Sequence, residues 1–336
     1  MALNERALDL NAILEQTIPN NQPEPIDPRH TRKVFMFFSV DLVNSTKFKS
    51  KYPNEWAGIF GRFYGCIRES VFAEYERAQI WKYIGDEVLF FVEIQTMSDI
   101  LNAPSALHKA MGEAYAKLVR LNEKFVKNNL YFKGTLWIAP AYQYYRENFD
   151  QVLDPYEVAK ELPANIYVEM QLNGDIYDIE SIGSVSTGLD FLGPNIDEGF
   201  RMAAHSLQGK IVLDPKIAFL LSENKPAFSD SEYAKIVDFV SLNGIWGGRK
   251  YPIIWYTSEW RDKDKLFLYD DQYENSIVCA YTANPRRTKH IRYIEKVFDD
   301  LGFPLDEIKL IKDIIANTSP FSDIQTATAP SQSLST

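Results

Sequence analysis

The stretch VFMFFSVDLVNSTKF, residues 34–48, runs seven mostly apolar residues straight into one carboxylate, Asp41, and then into a polar Asn-Ser-Thr turn. A continuous apolar run, rather than an alternating one, reads as a fully buried strand over 34–41. Working outward, NEWAGIFGRFYGCIRESVFAEYERA (54–78) places its apolar residues at helical spacing. AQIWKYIGDEVLFFVEI (78–94) is strand, tight turn, strand, with Gly85 and Asp86 as the turn. A long helical region follows over 98–129, with a break expected near Pro104, and LYFKGTLWIAPAYQ (130–143) is another strand. The order β-α-β-β-α-β predicts an α+β fold with a ferredoxin-like antiparallel sheet backed by helices.

Beyond this core, 143–175 reads as an insertion. IDEGFRMAAHSL (196–207) is a helix, KIVLD (210–214) and KIVDFVSLNGIW (235–246) are strands, and KYPIIWYTS (250–258) is expected to close the sheet. The expected organisation is an N-terminal helix and Pro-rich arm over 1–33, a catalytic domain over 34–258, a C-terminal extension over 259–318 that ends in helices, and a disordered tail over 319–336.

The net charge of −10 argues against extended nucleic-acid binding and against anionic membrane surfaces, yet leaves room for a small anionic ligand in a locally positive pocket. Two cysteines and four histidines exclude a disulfide framework and a Cys/His zinc site, and fit a reducing cytoplasm. No stretch is long and apolar enough to span a bilayer.

Asp41 ends the first strand and Asp86 sits in the hairpin of the next two, so neighbouring strands can bring both to one end of the sheet. Two carboxylates with the backbone carbonyl of Leu42 make an all-oxygen site suited to hard divalent ions. The plainer alternative is a helix cap at Asp41 and an ordinary turn residue at Asp86.

The segments FFSVDLVNSTKF (37–48), KYIGDEVLFFV (82–92) and GLDFLGPNIDEGFRMA (188–203) occur in this order. Together they resemble the ordered motifs of class III nucleotidyl cyclases over about residues 34 to 256. The wording of the first motif is similar to that of the pyrimidine cyclases of bacterial Pycsar anti-phage systems. The resemblance implies attack of a ribose 3′-oxygen on the α-phosphate of a nucleoside triphosphate, giving cyclic UMP as the first expectation. Cyclic CMP, then cyclic AMP, or a catalytically degenerate nucleotide-sensing module, are the alternatives. It also implies two Mg²⁺ or Mn²⁺ ions per site held by Asp41, Leu42 and Asp86, with Arg201 stabilising charge on the α-phosphate. Asp197 stands where the family has a ribose-orienting Asn, and Asn195 is the neighbouring candidate for that task. Lys82 and Asp190 correspond to the base-reading positions, Tyr83 is a bulky neighbour suited to admitting one ring, and Arg249 or Lys250 would hold the triphosphate. The family's shared sites imply a head-to-tail homodimer, and the product would act through a separate cyclic-nucleotide-activated effector. A diguanylate cyclase is the first rival, because IGDEVLF resembles that family's hairpin, but Ile84 and Val88 depart from it.

Overall fold

The structure, a computed structural model, describes residues 32–143, 165–169, 189–224, 232–258 and 287–318. The strands are β1 (Arg32–Val43), β2 (Gln79–Ile84), β3 (Glu87–Glu93), β4 (Tyr131–Gln143), β5 (Asn165–Glu169), β6 (Leu189–Leu192), β7 (Ile211–Leu213), β8 (Glu232–Val240) and β9 (Tyr251–Ser258). The helices are α1 (Ser45–Lys51), α2 (Trp56–Glu74), α3 (Met97–Leu121), α4 (Glu123–Lys127), α5 (Pro194–Ala203), α6 (Pro215–Asn224), α7 (Arg287–Leu301) and α8 (Phe303–Thr318). Residues 1–31 of the expected arm, 144–164 and 170–175 of the expected insertion, 259–286 of the expected extension and the tail over 319–336 lie outside the described residues, whereas 165–169, also within the expected insertion, form β5 of the sheet.

The expected ferredoxin-like core is present. β1 pairs antiparallel with β3 on one side and β4 on the other, and β2 lies outside β3. The sheet continues through β7, β9 and β8, so β8 forms the far edge and β9 lies inside it, contrary to the expectation that 250–258 closes the sheet. The parallel pairing of β4 with β5 and β7 makes the sheet mixed rather than wholly antiparallel.

β1 is buried on both faces because each face meets its own layer. Phe38 stacks on Phe90 at 5.2 Å and on Tyr75 at 5.1 Å, beneath α2 and α3. Phe37 on the opposite face stacks on Trp137 at 5.4 Å and meets Phe191 edge-on at 4.8 Å. Burying each such ring contributes about 2 kcal/mol, so this apolar run dominates the core.

Two local expectations fail. The polar Asn-Ser-Thr segment is not merely a turn: Asn44 takes a left-handed conformation, φ 66°, and the seven-residue helix α1 begins at Ser45. The long helix α3 runs through Pro104 and ends instead at Asn122, whose extended backbone stops it and whose side chain accepts from the Lys124 N–H of α4. The Tyr75 hydroxyl donates to the carbonyl of Ala103, the residue before Pro104, tying the end of α2 to this part of α3.

The C-terminal helices belong to this core. Ile308 and Ile311 of α8 are buried, as are Val297 and Phe298 of α7, and α8 packs against β1 and β4.

Candidate active site

Antiparallel pairing sets Asp41 between Glu87 on β3 and Lys133 on β4. Lys133 Nζ lies 2.9 Å from Asp41 Oδ2. Burial, reinforced by the neighbouring Asp86, holds the Asp41 carboxyl above the usual aspartate range, although Lys133 opposes that shift. Asp86 lies in the turn after β2, where its carbonyl accepts the Leu42 N–H at 3.2 Å. Its side chain accepts from the Ser45 hydroxyl, and Lys49 Nζ lies 3.4 Å away. The two expected carboxylates therefore do converge, and α1, absent from the sequence reading, supplies the groups that hold Asp86. Glu87 joins them: its carboxyl is raised by burial and by both aspartates. Among the described residues no group of three or more His, Cys, Asp or Glu side chains is arranged to hold a metal ion. The side-chain oxygens gathered at this end are those of Asp41, Asp86 and Glu87.

A second group forms around Asp190. A β-bulge interrupts β2 between Ile80 and Lys82, and Trp81 at the bulge turns inward. Trp81 packs on Phe37 at 5.4 Å and Phe191 at 5.3 Å. Lys82 Nζ and Trp81 Nε1 both reach Asp190 Oδ1, at 2.9 Å and 3.0 Å, and the Phe191 N–H donates to the same oxygen at 3.0 Å. Burial is the largest single influence and pushes the Asp190 carboxyl up, but Lys82, the Phe191 amide and Trp81 together outweigh it and hold the group below its ordinary range. Lys82 also lies 4.2 Å from the Trp81 ring centre. Sequence reading named Lys82 and Asp190 as base-reading positions but not as partners of each other, and gave Trp81 no polar role; the bulge that turns it inward has no signature in residue order.

Tyr83 is exposed on the edge strand, its ring 4.9 Å from that of Tyr64. The Tyr64 hydroxyl donates to the Gly85 carbonyl, tying α2 to the hairpin.

Helix α5 begins at Gly193, whose φ of 140° is open only to glycine, with Pro194 at the first helical position. Asp197 and Arg201, four residues apart, are both exposed on it, as expected. Neither makes an ion pair among the described residues. Asn195 instead points inward, bonded to Asn165 at 2.5 Å and to Glu307 at 3.1 Å, which removes it as the ribose-orienting alternative to Asp197. Arg249 donates to Asp300 of α7 at 2.9 Å, so its guanidinium already has an acidic partner, whereas Lys250 is exposed.

No family model matches the chain, and no curated protein does. Among solved structures, the chain is similar to the adenylyl cyclase CyaB from P. aeruginosa, at 13% identity, covering 69% of this chain and 97% of that one with a TM-score of 0.45. It is similar to the guanylyl cyclase Cya2, at 11% identity, covering 69% and 96% with a TM-score of 0.44. It is also similar to the guanylate cyclase domain of RhGC from Catenaria anguillulae, at 12% identity, covering 68% and 98% with a TM-score of 0.38.

Proposed function

We propose that the chain is a nucleotidyl cyclase that converts UTP to 3′,5′-cyclic UMP and pyrophosphate. The observation that carries this reading is the convergence of Asp41 and Asp86 at the end of a buried ferredoxin-like strand, beside a separate Lys82–Asp190 pair suited to a base edge.

Asp41, Asp86 and the Leu42 carbonyl would hold two Mg²⁺ or Mn²⁺ ions, which supply Lewis-acid charge at the 3′-oxygen and the triphosphate. The chain's own groups then bind and orient. Arg201, exposed and without an acidic partner among the described residues, can address the α-phosphate with its planar fork. Asp197, one turn earlier on the same face, can accept from a ribose hydroxyl. Lys250 is the better placed of the two basic candidates for the outer phosphates, because Arg249 already has Asp300.

Among the described residues the donors to Asp190 all fall on Oδ1, so Oδ2 could accept an N–H from a base while Lys82 donates to a ring carbonyl or nitrogen. Uracil and cytosine both present such an edge, as does adenine. Tyr83 packs on Tyr64 of α2, on the helix-covered face of the sheet rather than the Phe37–Phe191 face where Lys82 meets Asp190, so its bulk does not carry the expected preference for single-ring bases. The sequence resemblance supports UTP within this group, a head-to-tail homodimer sharing its sites, and a product that activates a separate effector in anti-phage defence.

Supplying ATP, GTP, CTP and UTP separately with Mn²⁺, and measuring pyrophosphate and cyclic nucleotide, tests the reading. Cyclic UMP as the main product is expected. Predominant cyclic AMP defeats the pyrimidine assignment, and no cyclic product from any of the four defeats the cyclase.

A further inference from the structure

We propose that Glu307, on the last helix, is a positioning residue for the helix that presents Arg201; its link to turnover rests on the cyclase reading above. Helix α5 has two working faces. Asp197 and Arg201 are exposed, whereas Asn195 and Glu198 are buried and enter a polar hub.

Lys216 is the hub's cation. Its Nζ lies 3.2 Å from Asp214, 3.3 Å from Glu198 and 3.5 Å from Glu307. Asn195 Nδ2 donates to Glu307 at 3.1 Å and more weakly to Glu198 at 3.4 Å. Asn165 joins through Asn195 and through the Pro140 carbonyl of β4 at 2.9 Å. Burial pushes the carboxyl of Asp214 up to about 7 and raises that of Glu307, while the surrounding acids hold Lys216 firmly protonated. Removing one member of such a group strands the others without partners in a poorly solvated place.

Among the described residues, Glu307 is the hub's one member from the C-terminal helices. Two further ion pairs of those helices among the described residues, Arg249–Asp300 and Lys312–Glu223, are solvated and contribute little. A second line of packing runs to the same arginine. Trp246 rests on Phe298 of α7 at 6.0 Å, and Trp246 follows the loop whose Gly244 abuts Arg201: a Cβ there would lie 3.7 Å from Nη1. The last two helices thus brace both the helix bearing Arg201 and the loop its guanidinium lies against.

The test uses the full chain with Glu307→Ala, Arg201→Ala and the double variant. Hydrogen exchange without nucleotide is read first. Protection of the α5 amides is expected to fall about tenfold in Glu307→Ala, with the β2–β3 hairpin unchanged. Glu307→Gln keeps an oxygen for Asn195 and should retain most of the protection. If the alanine variant does not fold, Glu307→Asp, which withdraws the carboxylate by one methylene, carries the same comparison. Turnover is read second. Glu307→Ala should lower kcat about tenfold with KM little changed, and by less than about twofold once Arg201 is already alanine. Unchanged α5 exchange, or an undiminished loss in the Arg201→Ala background, overturns the proposal. A wild type that makes no cyclic nucleotide sinks the cyclase reading alone, and the exchange comparison still decides what Glu307 does.

Discussion

Lys82 and Trp81, neighbours in sequence brought to one side of the sheet at a bulge, meet on a single oxygen of Asp190, at 2.9 Å and 3.0 Å. The indole donor fixes the carboxylate rotamer, so it governs which way the free oxygen faces. Trp81→Phe removes that N–H and keeps most of the ring packing. It is expected to raise KM and to shift the ratio of kcat/KM between UTP and CTP by about threefold to tenfold, with a small effect on melting temperature. An unchanged ratio in a folded variant counts against the assignment.

The two aspartates should be indispensable to turnover and nearly silent in stability. Asp41→Asn and Asp86→Asn are each expected to lower kcat by at least about a hundredfold, since charge stabilisation is the largest contribution to such a reaction. Their urea midpoints, measured without divalent ions, should stay close to wild type, because the Asp41 carboxyl is already disfavoured in its charged form by burial and by Asp86. Mixing Asp41→Asn with Arg201→Ala tests the shared-site arrangement. Random exchange puts half the molecules in heterodimers with one intact site, so about a quarter of wild-type activity should return.

His108 is buried on α3, and burial lowers its imidazole from 6.5 to about 4. A base depressed on folding contributes stability above its unfolded value and loses it as pH falls toward the folded one. From pH 7.5 to 5 that loss is about 2 kcal/mol. Asp214 works the other way: its raised carboxyl favours the folded chain at low pH and withdraws that support as pH rises toward about 7. The wild-type stability curve over this interval therefore carries contributions of opposite sign. His108→Gln should gain stability on acidification and Asp214→Asn should lose it, both read from denaturation midpoints. Parallel curves for all three proteins refute both attributions.

Gly199 lies on the buried side of α5 where the helix meets Trp137; a Cβ there would intrude on the indole. Gly199→Ala should cost about 1–3 kcal/mol by overpacking, visible as a lowered denaturation midpoint. A wild-type midpoint means that the helix has room to withdraw.

The continuous apolar run ending at Asp41 and the Gly85–Asp86 turn were readable in residue order, and the pairing of β1 with β3 sets Asp41 opposite Glu87, one residue beyond that turn. Helix α1 was hidden because STKFKSK offers one buried phenylalanine among lysines, too little for a helical period. The bulge at Trp81 breaks the alternation on which a strand's facing is judged. Asn195 and Arg249 looked available because their acidic partners, Glu307 and Asp300, lie 112 and 51 residues away. An amphipathic pattern announces that α8 hides one face but never which layer receives it.

The ammonium groups of Lys133 and Lys49, 2.9 Å and 3.4 Å from Asp41 and Asp86, already act as resident counter-ions. On the proposed reading, a divalent cation arriving there would take part in an exchange, displacing tethered monovalent charge. Its apparent affinity would then depend on how readily two lysine side chains swing back toward bulk water, which would make them the throttle on metal loading.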